Sequence, residues 1–401
     1  MQMTQMDSIL IKMLYLSAAG IVVLTVLGIE GLSSALFGLT FILVILLWCV
    51  GAMRKVIWTD AVLILTIGLA LGNVITNAWL EGARISFGYF KKFIMFICTL
   101  VYFQVAYKLD VNKNTEKFLL RINSALAVFL IVFYYFNQVD VYMLKGRISN
   151  FLTFGFTNPN LTALFLMCIY TGEMVSLFRS RSVLIRIWHL ILAVAVCYLV
   201  WETQSRNCLI TMAVETVLCI LLWLTKSGFC IPKWFSFMIA VWPLGFVLIY
   251  LLFVQNQQVQ EWFSFMISEG KGLDARLSIW LPALQYYLDS PIIGAYSQIS
   301  RGTGMSQMHN SHLDVLVSYG TLIMVLVCYL LYSVIHNTNS ANIKADSMVR
   351  ICFSGTIIMG MGEAALFSGG LGIYIFAGMF LLLCNNQNLS AEDHRIGGKQ
   401  I

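Results

Sequence analysis

The chain has 401 residues, 59% of them hydrophobic and only 11% charged, with a net charge of +6. An ordinary soluble domain is about a quarter charged, so neither a soluble enzyme nor a disordered chain fits. Lipid leaves backbone polar groups no partners outside a helix or a closed barrel. The long, continuous apolar runs therefore predict an all-α polytopic membrane protein.

Twelve candidate transmembrane helices follow in chain order. They lie near 10–28, 32–51, 56–76, 93–109, 122–137, 159–178, 187–203, 207–225, 234–254, 313–335, 348–365 and 368–384. The first run lacks a small-residue cleavage site and is expected to stay as a span. The whole chain, 1–401, reads as one integral membrane domain, with no internal repeat or low-complexity tract. With a cytoplasmic N-terminus, sixteen of the 25 Lys and Arg residues fall on the cytoplasmic side and nine outside. The positive-inside rule then places both termini in the cytoplasm. The cations are spread over many short loops, which excludes a nucleic-acid partner. Most of the ten cysteines sit inside apolar runs. With no CxxC or Cys/His cluster, neither a disulfide framework nor a metal or other cofactor is expected.

Residues 255–312 form a large outer loop far longer than the other connections. Long loops of this kind are more often functional. Two amphipathic stretches mark it: Val259, Trp262, Phe263 and Met266, then Leu277, Trp280, Leu281, Leu284 and Leu288. Both are expected to lie in the membrane interface.

Cations on the outer face run against the charge bias and narrow the search for chemistry. Arg206, in TQSRN beside Ser205, falls at the membrane boundary between the seventh and eighth spans. An arginine there is costly, and its guanidinium suits bidentate phosphate binding. Snorkelling with pairing to Glu202 is the plain alternative. Arg276 heads the second amphipathic stretch, where a helix N-terminus favours anions. A salt bridge to Asp274 is its structural alternative. Arg301 lies in the glycine-bearing SRGTG, and Arg147 is a further outer cation. His309 and His312 sit in MHNSHLD at the mouth of the tenth span, with Asn310 and Asp314 beside them. Histidine is the commonest general base. A zinc pair and a helix cap are the other readings of this cluster. Together these residues suit group transfer from a lipid pyrophosphate, in which positioning and charge stabilisation carry the catalysis.

At these residues the chain resembles the O-antigen polymerase and O-antigen ligase superfamily of bacterial membrane glycosyltransferases. The stretch HNSHLDVLVSYGTL carries a His-Asn pair, His309 and Asn310, and then Gly320 opening a span. LDARLSIWLPALQYYLDSPIIGAYS is similar to a family segment through Arg276, Trp280, Pro291 and Gly294. TQSRNCLI resembles its Ser-Arg element, and FTNPNLTALFL its Asn-Pro-Asn element. Ile323 stands where the ligases usually carry Gly, Thr or Tyr, which favours a polymerase.

The resemblance implies an undecaprenyl-pyrophosphate-linked oligosaccharide as donor, transferred by an inverting, metal-independent reaction. It makes Arg206 and Arg276 pyrophosphate ligands and His309 the base or acceptor-orienting group. Ser205, Asn310, His312, Asp314, Arg147 and Arg301 are expected to help bind substrate. The product would be O-antigen, capsular or exopolysaccharide, made on the outer face of the bacterial cytoplasmic (inner) membrane. A flippase and a chain-length regulator are the implied protein partners. A ligase acting on a lipid or protein acceptor is the alternative within the class, and a glycan or solute transporter the alternative outside it.

Overall fold

The computed structural model describes residues 3–54, 56–82, 87–109, 111–137, 142–144, 147–149, 151–156, 158–224, 232–254, 273–297, 308–337, 344–362, 366–367 and 373–384. The first helices run α1 Gln5–Val26, α2 Glu30–Arg54, α3 Trp58–Leu80, α4 Phe87–Lys108 and α5 Lys113–Asn137. A small antiparallel hairpin follows, β1 Tyr142–Leu144 and β2 Arg147–Ser149, with Leu144 opposite Arg147. Then come α6 Pro159–Arg179, α7 Val183–Glu202, α8 Arg206–Leu224 and α9 Lys233–Val254. The last five are α10 Leu273–Asp289, α11 Ser311–Tyr319, α12 Thr321–Asn337, α13 Lys344–Met359 and α14 Ile373–Cys384.

Among the described residues, nine helices, α1 to α9, are long and apolar enough to cross a membrane. Three shorter apolar helices lie within α12, α13 and α14. The chain is thus a multi-pass membrane protein by its helices. The side chains agree. Leu184 and Val194 of α7, Trp79 of α3 and Phe136 of α5 are all exposed, an apolar surface that lipid accepts and water does not. By contrast, α6 is buried from Leu161 to Ser176 and runs through the middle of the bundle.

Local sequence explains where the helices start. Thr4 and Asp7 form a capping box on α1. The Asp60 carboxylate accepts from the Ile57 N–H ahead of α3. Asn158 caps α6 with Pro159 in its first turn, which makes the NPN triplet a helix start.

Successive spans alternate in direction, so the bundle has two ends. At one end, Lys108 and Gln104 of α4 hold Asp60 of α3. There too, Arg179 of α6 pairs with Glu116 of α5 and donates to the Leu383 carbonyl of α14. The opposite end carries the first residue of α8, Arg206, and is called the Arg206 end.

The second amphipathic stretch of the long connection forms α10. Its Trp280 is fully buried and donates its indole N–H to the Met308 carbonyl at 2.8 Å. This stretch therefore packs into the protein through its tryptophan, rather than only resting on a lipid surface. The first stretch, Val259 to Met266, lies outside the described residues.

Candidate functional site

Only three residues separate α7 from α8. Gln204 takes a left-handed backbone, φ 56°, to make that turn. Ser205 is buried and its N–H donates to the Thr203 hydroxyl at 3.3 Å. Arg206 follows as the first residue of α8, with an exposed side chain. It sits at the positive end of the helix dipole.

The His-Asn element takes a different form. His309 is half-buried and left-handed at φ 47°. This conformation is uncommon for any residue with a side chain. Asn310 caps α11, its Oδ1 accepting from the His312 and Leu313 N–H groups at 3.1 and 2.8 Å. Its amide donates to the Pro243 carbonyl at 2.6 Å and the Met361 carbonyl at 3.1 Å. Asn310 is wholly buried, so its polar atoms serve the fold.

His312 is also wholly buried and donates from Nε2 to the Ala240 carbonyl at 2.7 Å. Pro243 interrupts α9. A proline inside a helix removes a backbone donor and frees carbonyls one turn before it. In lipid those carbonyls need other partners. His312 meets the Ala240 carbonyl, in the turn before the proline, and Asn310 the carbonyl of Pro243 itself. With Nε2 carrying the proton, Nδ1 of His312 is buried without a hydrogen-bond partner.

Asp314, one turn further on, is buried and pairs with Lys92 of α4 at 2.5 Å. Around this pair run further polar links. Tyr89 shares a 2.6 Å hydrogen bond with Ser297, and Tyr296 donates to the Tyr89 carbonyl at 2.6 Å. Burial pushes the Tyr296 phenol well above its ordinary range, so it stays a neutral donor.

The helix α13 joins the two halves of the site. Thr211 of α8 reaches the Met359 sulfur at the end of α13, at 3.3 Å. Just beyond, the Gly360 carbonyl accepts from the Ser311 N–H at 2.8 Å, and Met361 holds Asn310. The first half of α8, through Thr211, and the N-terminus of α11, through Asn310 and Ser311, are therefore held to the same end of α13.

The other sequence-marked residues divide. Arg276 lies in the first turn of α10, and Arg147 in β2 opposite Leu144. Arg301 lies outside the described residues. His312, Asn310 and Asp314 are not open to a large substrate; each is buried and committed to a backbone carbonyl or to Lys92. Among the described residues, no group of three or more His, Cys, Asp or Glu side chains is placed to hold a metal ion.

Three groups escaped the sequence reading. Lys92 is one of the nine outer cations, and it stands directly before the predicted span 93–109, a boundary charge that is a signal in itself. Glu173 on α6 and Glu215 on α8 are fully or nearly fully buried inside spans. Glu173 accepts from Asn123 and Ser124, both at 2.8 Å, and its other oxygen meets His189 at 2.7 Å. An ionisable residue within an apolar run was the available signal.

No protein-family model matches the chain. No curated protein is similar to it in sequence either.

Proposed function

We propose that this chain is a membrane glycosyltransferase that polymerises undecaprenyl-pyrophosphate-linked oligosaccharide repeat units. The reaction belongs at the Arg206 end, taken as the outer face of a bacterial cytoplasmic membrane. The observation that carries this reading is that Thr211, five residues after Arg206, and Asn310, next to His309, both bond the same end of α13. This supports a reading in which Arg206 binds phosphate and His309 takes the proton on one side of the membrane.

In this reading Arg206 and Arg276 hold the donor's pyrophosphate and stabilise the charge that develops on it. The acceptor hydroxyl attacks the anomeric carbon from the opposite face. A new carbon–oxygen bond forms as the bond to pyrophosphate breaks, with inversion. The hydroxyl proton passes to His309, and the electron pair of the broken bond leaves with the lipid pyrophosphate. Asn310, His312 and Asp314 contribute by fixing α11 and so the backbone of His309.

The test uses purified protein with lipid-linked repeat units and nothing else. Longer glycans on the carrier lipid support polymerisation. Transfer only to an added lipid or protein acceptor identifies a ligase. Unchanged repeat units under all conditions overturn group transfer. A transporter is the second reading, favoured by Glu173 and Glu215, because transporters place polar sites within the membrane. It predicts movement of a glycan or solute across vesicles with no new glycosidic bond.

A further inference from the structure

Glu215 lies at the centre of α8, nine residues from Arg206 and nine from Leu224. That is about 13 Å from either helix end. Its side chain is buried at 3% exposure. Oε2 accepts from the Thr171 hydroxyl of α6 at 3.2 Å, and Oε1 has no hydrogen-bond partner. Oε1 instead fills a notch on α13. A Cβ built on Gly355 would stand 1.7 Å from it, so only glycine leaves room for this carboxyl.

The neighbours supply no counter-charge that reaches it. Cys168, Tyr170 and Thr171 face it from α6, and Cys219 from its own helix. Cys197 of α7 lies beyond, beside Tyr170. Glu173, two residues after Thr171, turns to Asn123, Ser124 and His189 instead. Arg350 of α13 stands five residues before Gly355, and no ion pair joins it to Glu215 among the described residues. A carboxyl so placed is a candidate functional group, because burying it ionised and unpaired is costly.

The notch also has a mechanical consequence. Gly355 and Gly360 are five residues apart, about 7.5 Å of helix. Gly360 and Met361 hold Ser311 and Asn310, the first turn and cap of α11. We propose that Glu215 is a proton-binding site in the middle of the membrane whose occupancy sets the position of α13, and through it the N-terminus of α11. With the proton on, the neutral acid fits against Gly355. With the proton off, the charge lacks a partner. Separating α13 from α8 admits water to the carboxylate and shifts the α11 cap. This proposal does not depend on the glycosyl-transfer reading.

The test has two arms on the full chain in detergent or vesicles. In the first, a hydrophobic carbodiimide is offered over a weakly acid to weakly alkaline pH series. The carboxylic acid gives its proton to a carbodiimide nitrogen and adds through oxygen to the central carbon. Mass analysis is expected to find one adduct at Glu215, falling several-fold as pH rises. In the second, Met361→Cys is labelled by a water-soluble maleimide and read by mass at that position. Its rate, divided by that of a free thiol at the same pH because only the thiolate reacts, is expected to rise several-fold with pH in the Glu215 chain and to stay flat with Glu215→Gln. If that variant does not fold, the carbodiimide-blocked native carboxyl replaces it. No adduct at Glu215 in folded protein overturns the proposal. So does a position-361 rate that, so normalised, ignores pH, or one that follows pH equally after Glu215 is made neutral.

Discussion

Lys92 donates to Asp314 across 2.5 Å, tying the start of α4 to the first turn of α11. Both side chains are largely shielded, at 14% and 2% exposure. The two charges are therefore committed to each other, and the pair fixes where α11 enters the bundle.

Removing one partner leaves the other charge buried alone. Asp314→Ala is expected to destabilise the protein by about 3–5 kcal/mol, and Lys92→Met by a similar amount. The double variant Lys92→Met with Asp314→Leu removes both charges together and should recover most of that loss. Denaturation midpoints of the four proteins in one detergent check this. A double variant no more stable than the single ones would show that the ion pair is not what holds α11.

Asn310 offers a cleaner test of the cap. Asn310→Ala loses a cap worth about 1–2 kcal/mol. It also strands the Pro243 and Met361 carbonyls in an apolar interior. Asn310→Asp keeps the capping oxygen but sets a carboxylate against those same carbonyls. The aspartate variant is therefore expected to be at least as damaging as the alanine, although aspartate is an excellent cap at a helix surface. Thermal melts of the two variants decide it. An aspartate variant of native stability would mean that water, not these carbonyls, surrounds the amide.

Much of this fold was legible because lipid makes apolar length a strong signal. The runs from 10–28 to 234–254 correspond to α1 through α9, since each must satisfy its own backbone. The NPN triplet stands at a helix start, Asn158, and the helix-cap alternative for HNSH holds at Asn310. What the sequence could not convey was direction. Polarity marked Asn310, His312 and Asp314 as candidate ligands. Their side chains instead turn inward to carbonyls and to Lys92, partners up to 222 positions away in the chain. The physical reason is that these partners stand on other segments, the Ala240 and Pro243 carbonyls in α9, the Met361 carbonyl beyond α13 and Lys92 in α4, and nothing near residue 310 in sequence reports them. Glu173 and Glu215 were hidden for the opposite reason, each being a single charge within a run judged by its average hydropathy.

The site assignment makes its own prediction. Arg206→Ala, Arg276→Ala and His309→Ala should each abolish polymer while leaving the amount of protein in the membrane unchanged. Arg206 is exposed at a helix start, so its loss is not expected to disturb packing. Chain-length ladders and membrane immunoblots from the same cells read both quantities. Ladders of native length from all three variants would remove these residues from the reaction.

Gly320 is constrained both conformationally and sterically. It sits between α11 and α12 with φ 89°, where an L side chain is strained. A Cβ there would meet the Ile292 carbonyl oxygen at 2.1 Å and its carbon at 2.6 Å. These are backbone atoms, held in turn by the Thr321 N–H bonding the Pro291 carbonyl at 2.9 Å. Nothing flexible can yield, so Gly320→Ala must move the 291–294 turn away from the α11–α12 corner. Asn73 of α3 bridges the Tyr319 carbonyl at 2.7 Å and the Ile292 carbonyl at 3.3 Å, the two sides that this movement pulls apart. The expected cost is at least about 2 kcal/mol, combining backbone strain with overpacking. A second change, Asn73→Ala, should cost less in the Gly320→Ala background than in the native chain, because the bridge is already broken. Equal costs in the two backgrounds, measured as a double-mutant cycle, would show that the corner absorbs the methyl group without moving.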